Sequence, residues 1–259
     1  MTKIIIVTVF ALLISVACNA QQTGRMETDR PDQTECPFIV KKGWIQSEWG
    51  LNVEQDGELS SQLHPTILWK YGASKRFELR LITTFTTEET PVIIPNGSEM
   101  LTGLVPVQIG GKLALWEEKG LLPKTSFIFH VAPSKLGSKK FRTQQWAPNF
   151  RFTMQHTLSE NIGLGYNVGA EWDGFSKTTS WIYTIAPGFN LGKKWYGYIE
   201  AFGALSKGSP PQHAVDGGLA CYFSENTKLD FSTGFGLSKA ATDWYAAIGI
   251  SFRFATKRK

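Results

Sequence analysis

From residue 44 to 254, apolar and polar positions alternate in one segment after another. In the first segment Ile45, Ser47, Trp49, Leu51 and Val53 share one parity, and Gln46, Glu48, Asn52 and Glu54 share the other. In the second, Leu63, Ile67, Trp69 and Tyr71 oppose Gln62, His64, Thr66 and Lys70. In the third, Phe77, Leu79, Leu81 and Phe85 oppose Glu78, Arg80 and Thr84. The pattern recurs around 107–115, 127–131, 150–155, 162–172, 181–189, 195–205, 212–223, 229–237 and 244–254. A period of two puts successive side chains on opposite faces of a strand. The chain is therefore expected to be all-β, with about twelve strands of roughly ten to twelve residues, long enough to cross a bilayer when tilted.

Connection lengths supply a second signal. Those at 72–75, 158–160, 192–194 and 224–226 are short and 117–123 is somewhat longer, and between them fall 87–103 and 133–145, the two longest, with 173–179 and 205–212. Only a closed barrel can carry strands through lipid, because an open edge would leave backbone groups unpaired there. The expected fold over 43–254 is a transmembrane antiparallel up-and-down β-barrel, short turns and both termini on the periplasmic side of an outer membrane. The last strand, ending at Phe254 before a basic tail at 255–259, has the form that a barrel-insertion machinery reads. A soluble sandwich is the competing fold, and strand length argues against it.

The start of the chain adds a compartment. Lys3 precedes an apolar run from Ile4 to Ala17, then Cys18, Asn19 and Ala20, then Gln21 and Gln22. This pattern predicts a signal peptide over 1–20, cleaved after Ala20, with acylation of Cys18 as the alternative. Residues 21–42 form a polar N-terminal segment. Cys36 and Cys221 remain in the mature chain, where a disulfide between them is possible.

Composition changes this picture little. Of the net charge of +5, four positive charges come from Lys3, Lys257, Arg258 and Lys259, so no nucleic-acid surface is expected. The four histidines lack ligand spacing, and there is no phosphate loop or dinucleotide fingerprint, so neither metal nor cofactor is expected.

Several stretches resemble a known family: Glu27 to Glu35 (Glu-Thr-Asp-Arg-Pro-Asp-Gln-Thr-Glu), Lys42-Gly-Trp, Trp69 to Gly72, Phe77 to Arg80, Glu117 to Gly120, and Leu164 to Gly174. They resemble an outer-membrane transporter-like family named for a protein of the meta pathway of phenol degradation. The resemblance implies a barrel for uptake of small molecules, apolar or aromatic ones in view, and carries over no catalytic or binding residue.

With apolar side chains toward lipid, the other parity fills the lumen: Glu48, Lys70, Glu78, Arg80, Lys112, Arg151, Glu171, Glu200, Asp216, Asp230 and Arg253. Buried charges need partners, so salt-bridged ladders across the lumen are expected. The polar segment with Glu27, Asp29, Arg30, Asp32 and Glu35 is expected to fold into the lumen as a plug, pairing Asp29, Arg30 and Asp32 with wall charges. A flexible leader is the plainer alternative. Trp49, Trp69, Trp172, Trp181 and Trp244, read as outward residues near strand ends, suit an interfacial aromatic girdle.

The function these features support is a channel or transporter whose partners are outer-membrane lipid and a small-molecule solute. A membrane-embedded lipid hydrolase is the rival class. Ser126 and His130 share a face at i and i+4, but that face points inward and lacks a third partner. A structural or adhesive barrel, suggested by the loops at 87–103 and 133–145, is the remaining alternative.

Overall fold

The computed structural model describes residues 24–57, 61–92 and 97–256; the expected signal peptide and the end of the basic tail lie outside them. The strands are β1 (Trp44–Gln55), β2 (Ser61–Gly72), β3 (Phe77–Val92), β4 (Gly97–Leu104), β5 (Gln108–Trp116), β6 (Lys124–Ala132) and β7 (Ala147–Thr157). They continue with β8 (Ile162–Glu171), β9 (Ser180–Leu191), β10 (Trp195–Ser206), β11 (Gln212–Ser224), β12 (Thr227–Gly236) and β13 (Trp244–Ala255).

Except for β4 and β5, strands consecutive in sequence pair antiparallel, and β1 pairs with β13 along its whole length, from Trp44↔Ala255 to Gln55↔Trp244. The sheet is thus closed. β5 pairs with the first part of β3, and β4 with the last part of the same edge. These two strands share one place in the wall, so the barrel has twelve staves.

The alternation inverts the layout of a water-soluble protein. Lys70, Lys112, Lys228, Glu48, Glu78 and Asn167 are among the largest fully buried side chains. Leu79, Ile199, Phe231 and Ile248 are exposed on the outer face, Ile199 by 61%. Only lipid makes such a surface favourable, since in water it would be one continuous apolar patch.

Three expectations need correction. Residues 87–103 are largely a hairpin rather than a loop, with Phe85↔Leu104 to Val92↔Gly97 in register. Threonines and glutamates on both parities hid this extension from a hydrophobic reading. Cys36 and Cys221 are both free: Cys36 lies within the lumen and Cys221 has the outward parity of β11, so the wall separates them.

Trp49 lies midway along β1 rather than near its end. Its indole N–H donates to Ser47 Oγ at 2.7 Å, which removes the need for a polar headgroup partner at that depth. Trp172, Trp181 and Trp244 do mark the loop end, and Trp69 the turn end. Trp116 and Trp195, exposed at the turn end of β5 and β10, were not singled out from sequence.

A charge placed mid-belt tests the lipid-facing assignment. Ile250→Arg is expected to cost about 2–4 kcal/mol, whereas Leu237→Arg at the loop rim should cost about 0–1 kcal/mol. Denaturant unfolding of liposome-embedded protein measures both; equal effects would place the belt elsewhere.

Candidate functional site

Residues 24–43 form a finger inside the barrel. It starts at the turn end, where Met26 N–H donates to Glu225 O at 2.8 Å and Arg25 Nη2 to Asn190 Oδ1 at 2.6 Å. It rises to the middle of the lumen around 30–35 and returns to the turn end. There Gly43 N–H bonds Gly72 O at 2.8 Å. Gly43 has φ of 76°, a left-handed conformation that glycine adopts without penalty, and it redirects the chain from lumen into wall.

Asp29 is the finger's main anchor. Its Oδ2 lies 2.8 Å from both Lys70 Nζ and Arg80 Nη1, and its Oδ1 lies 2.9 Å from Lys112 Nζ. These cations come from β2, β3 and β5, so one carboxylate ties three staves. Burial alone would raise the Asp29 carboxyl; Lys112, Lys70 and Arg80 instead hold it well below the usual carboxylate range. The cations keep their own wall partners, Lys70 bonding Glu48 and Arg80 lying 3.4 Å from Glu78.

Around this hub the finger's backbone is satisfied by wall side chains. Glu48 Oε2 accepts the N–H groups of Asp29 and Arg30 at 3.0 and 3.2 Å. Glu78 accepts Val40 N–H at 2.8 Å, and Glu200 accepts Gln33 N–H at 2.7 Å. Glu35 binds Arg80 Nη2 at 2.8 Å and exchanges backbone bonds with Asn167. Such pairing is what permits a loop in a dry interior.

The other predicted residues are placed as follows. Arg30 bonds Asp230 at 2.9 Å. Arg151 reaches Glu35 at 3.5 Å, and Arg253 bonds Asn226 and Gly24 O at the turn end. Glu27 contributes its carbonyl to Gln46. Asp216 accepts the hydroxyls of Tyr198 and Tyr245. Asp32 forms no salt bridge among the described residues, contrary to expectation. Direct wall-to-wall ion pairs in the lumen are likewise confined to close neighbours, because the finger stands between the staves and takes their charges.

Gln46, Ser126, Asn167 and Thr184 hold the finger and were not singled out as its partners from sequence; their inward parity was the available signal. Above the finger, on the loop side, lies a cavity of about 480 Å³. Gln33 forms part of its floor, and Ile182, Phe202 and Tyr245 lie on its less polar side. Glu54, Arg151 and Glu171 supply its charges.

Removing one partner from a buried ion network leaves the others uncompensated, at a cost of about 3–5 kcal/mol. Asp29→Ala is therefore expected to lower the thermal midpoint of the barrel and to speed amide exchange at Val40. Because the Asp29 pKa is depressed on folding, its contribution is complete above the ordinary carboxylate pKa of about 3.9. It is lost only as pH falls through the lower folded-state value. A wild-type finger that loses exchange protection at pH 5 would contradict this assignment.

A family model described as "Putative MetA-pathway of phenol degradation" matches residues 28–254. Comparison with curated proteins returned no match. Among solved structures, an outer-membrane channel from Pseudomonas putida F1 has a TM-score of 0.64 at 10% identity, covering 86% of this chain and 99% of that one. The KdgM porin gives 0.53 at 8% identity over 81% and 99%. The transport unit of the autotransporter AIDA-I from Escherichia coli gives 0.53 at 11% identity over 95% and 97%. At these identities the likeness concerns fold, that of an outer-membrane β-barrel. Since the matched region takes in most of the finger together with the wall, the chain belongs to the family described by the MetA-pathway of phenol degradation.

Proposed function

We propose that the protein is an outer-membrane channel for small molecules, apolar and aromatic solutes among them, with the finger as its resident plug. The observation that carries this reading is the loop-side vestibule of about 480 Å³ floored in part by Gln33 of the finger. A vestibule with a ring-lined side and a charged side suits a small aromatic solute bearing one polar group. The family's link to phenol degradation supports that class. Gly24 and Thr256, the first and last described residues, share one end of the barrel with the connections at 73–76, 117–123, 158–161, 192–194 and 225–226, and in bacterial barrels short turns face the periplasm. The vestibule then opens outward and the plug closes the periplasmic half.

The hydrolase reading has little support. Ser126 donates its hydroxyl to Pro37 O at 2.6 Å, and His130 Nε2 accepts Arg80 Nε–H at 3.1 Å. Four residues apart on one strand, the two side chains start about 13 Å from each other. The role we assign to Ser126 and His130 is to seat the finger and to orient Arg80.

Single-channel recording in planar bilayers tests the proposal on two folded forms, one complete and one lacking residues 21–35. The complete protein is expected to show small or rare conductance steps, and the deletion to raise conductance several-fold. Equal conductance in both forms would remove the plug. Silence in both would remove the open pore altogether.

A further inference from the structure

The finger is not held equally on all sides. Toward β2, β3 and β5 each of its charges is paired. Toward β11, β12, β13 and β1 the contact differs in kind. The six buried side-chain polar atoms that lack a hydrogen-bond partner among the described residues are Arg30 Nε, Asn52 Oδ1, Asp216 Oδ1, Asp230 Oδ2, Ser232 Oγ and Ser251 Oγ. All six lie on this one sector.

Register places them on four consecutive inward rungs. The first joins Glu54, Tyr245, Gly234 and Asp216; the second joins Asn52, Ala247 and Ser232. The third joins Gly50, Gly249 and Asp230, and the fourth Glu48, Ser251 and Lys228. Arg30 lies flat against the third, where a Cβ on Gly50 would come within 2.1 Å of its Nη1 and one on Gly249 within 2.4 Å of its Nε. Inward rungs are about 7 Å apart, so the series spans about 20 Å, from the vestibule walls, which include Glu54 and Tyr245, toward the turn end.

Between Glu48, Asp230 and Lys228, which bond the finger at Asp29 and Arg30, the wall here is glycine, alanine and serine, whose side chains are too short to reach it. Each unpartnered group is penalised while it stays dry and is relieved of that penalty in water. Parting the finger from this sector breaks the Arg30–Asp230 pair and the bonds of Glu48 and Lys228 but wets the six unpartnered atoms. Parting it from the opposite wall breaks the Asp29 hub and wets no orphaned group among the described residues.

Building on the channel reading above, we infer that solutes pass the plug along the β11–β12–β13–β1 seam, with the finger still tethered to β2, β3 and β5. The seam's free groups are one N–H donor, three carbonyl or carboxylate acceptors and two hydroxyls. Of the charges on these rungs, Asp230 is paired with Arg30 and Glu48 with Lys70, and Glu54, Asp216 and Lys228 complete them, so no ring of one sign forms. The solutes that fit are small and neutral and bear hydroxyl groups.

Cysteine accessibility tests this inference on the full mature chain, folded in lipid nanodiscs, with Cys36→Ser and Cys221→Ser as background. Ser232→Cys, Ser251→Cys and Ala247→Cys report the seam; Ser126→Cys and Thr153→Cys report the far wall. Ser-to-Cys exchanges a single atom, and heat-modifiable migration on gels confirms folding before labelling. A trimethylammonium methanethiosulfonate reagent, followed by intact mass, is expected to modify the seam positions at least tenfold faster. Equal rates, faster labelling of the far wall, or no labelling of the seam would overturn the route. Conductance is recorded separately, so a silent but seam-labelled barrel would count against the channel while leaving the hydrated seam standing.

Discussion

Most large apolar side chains of this barrel face lipid, so no hydrophobic core holds its interior. Whatever fills the lumen must be held by polar pairing at low dielectric, where each unpaired charge is expensive. The structure meets this constraint by importing a carboxylate. Asp29 brings one negative group to Lys70, Arg80 and Lys112, each on a different strand. Without it the three buried cations would be left with Glu48, Glu78 and the finger's Glu35, and Lys112 with no ion-pair partner among the described residues. The finger and the wall are thus parts of one electrostatic unit.

The same constraint explains why the interior is uneven. Long side chains on β2, β3 and β5 reach inward and meet the finger's acids. On β12 and β13, between Lys228, Asp230 and Tyr245, the inward positions shrink to Ser232, Gly234, Ala247, Gly249 and Ser251, which leaves room for the Arg30 guanidinium but offers it a single ion pair. One lumen therefore has a side where the finger's charges are all paired and a side where bonds alternate with unpartnered polar atoms, a division set by side-chain length.

Much of this was legible in the sequence, for identifiable reasons. Barrel strands must show lipid to one face, so the parity of Trp49 or Ile250 reported sidedness directly, and connection lengths reported which end was which. Glu48, Lys70, Glu78 and Arg80 could be assigned to the lumen for the same reason. Partner choice could not be read this way. That Asp29 rather than Asp32 meets the cations depends on how the finger turns between residues 28 and 35, and no periodicity encodes that path. The β3–β4 hairpin escaped notice because a stave projecting beyond lipid has no need of an apolar face. Trp49 was misplaced because a hydroxyl two residues away, on Ser47, substitutes for the headgroup that usually draws indole to the interface.

Sequence separation gives the finger a place in biogenesis. Arg30 pairs with Asp230, 200 residues later, and the carbonyl of Gly24 accepts from Arg253, 229 residues later. The seal is synthesised first, yet its last contacts do not exist until the final strand has emerged and zipped to the first. Both ends of the finger lie at the same mouth, so it can enter a finished cylinder as a bent loop, without threading. Its seating therefore chemically records that the cylinder has closed, and a barrel still missing its last strands cannot be fully corked.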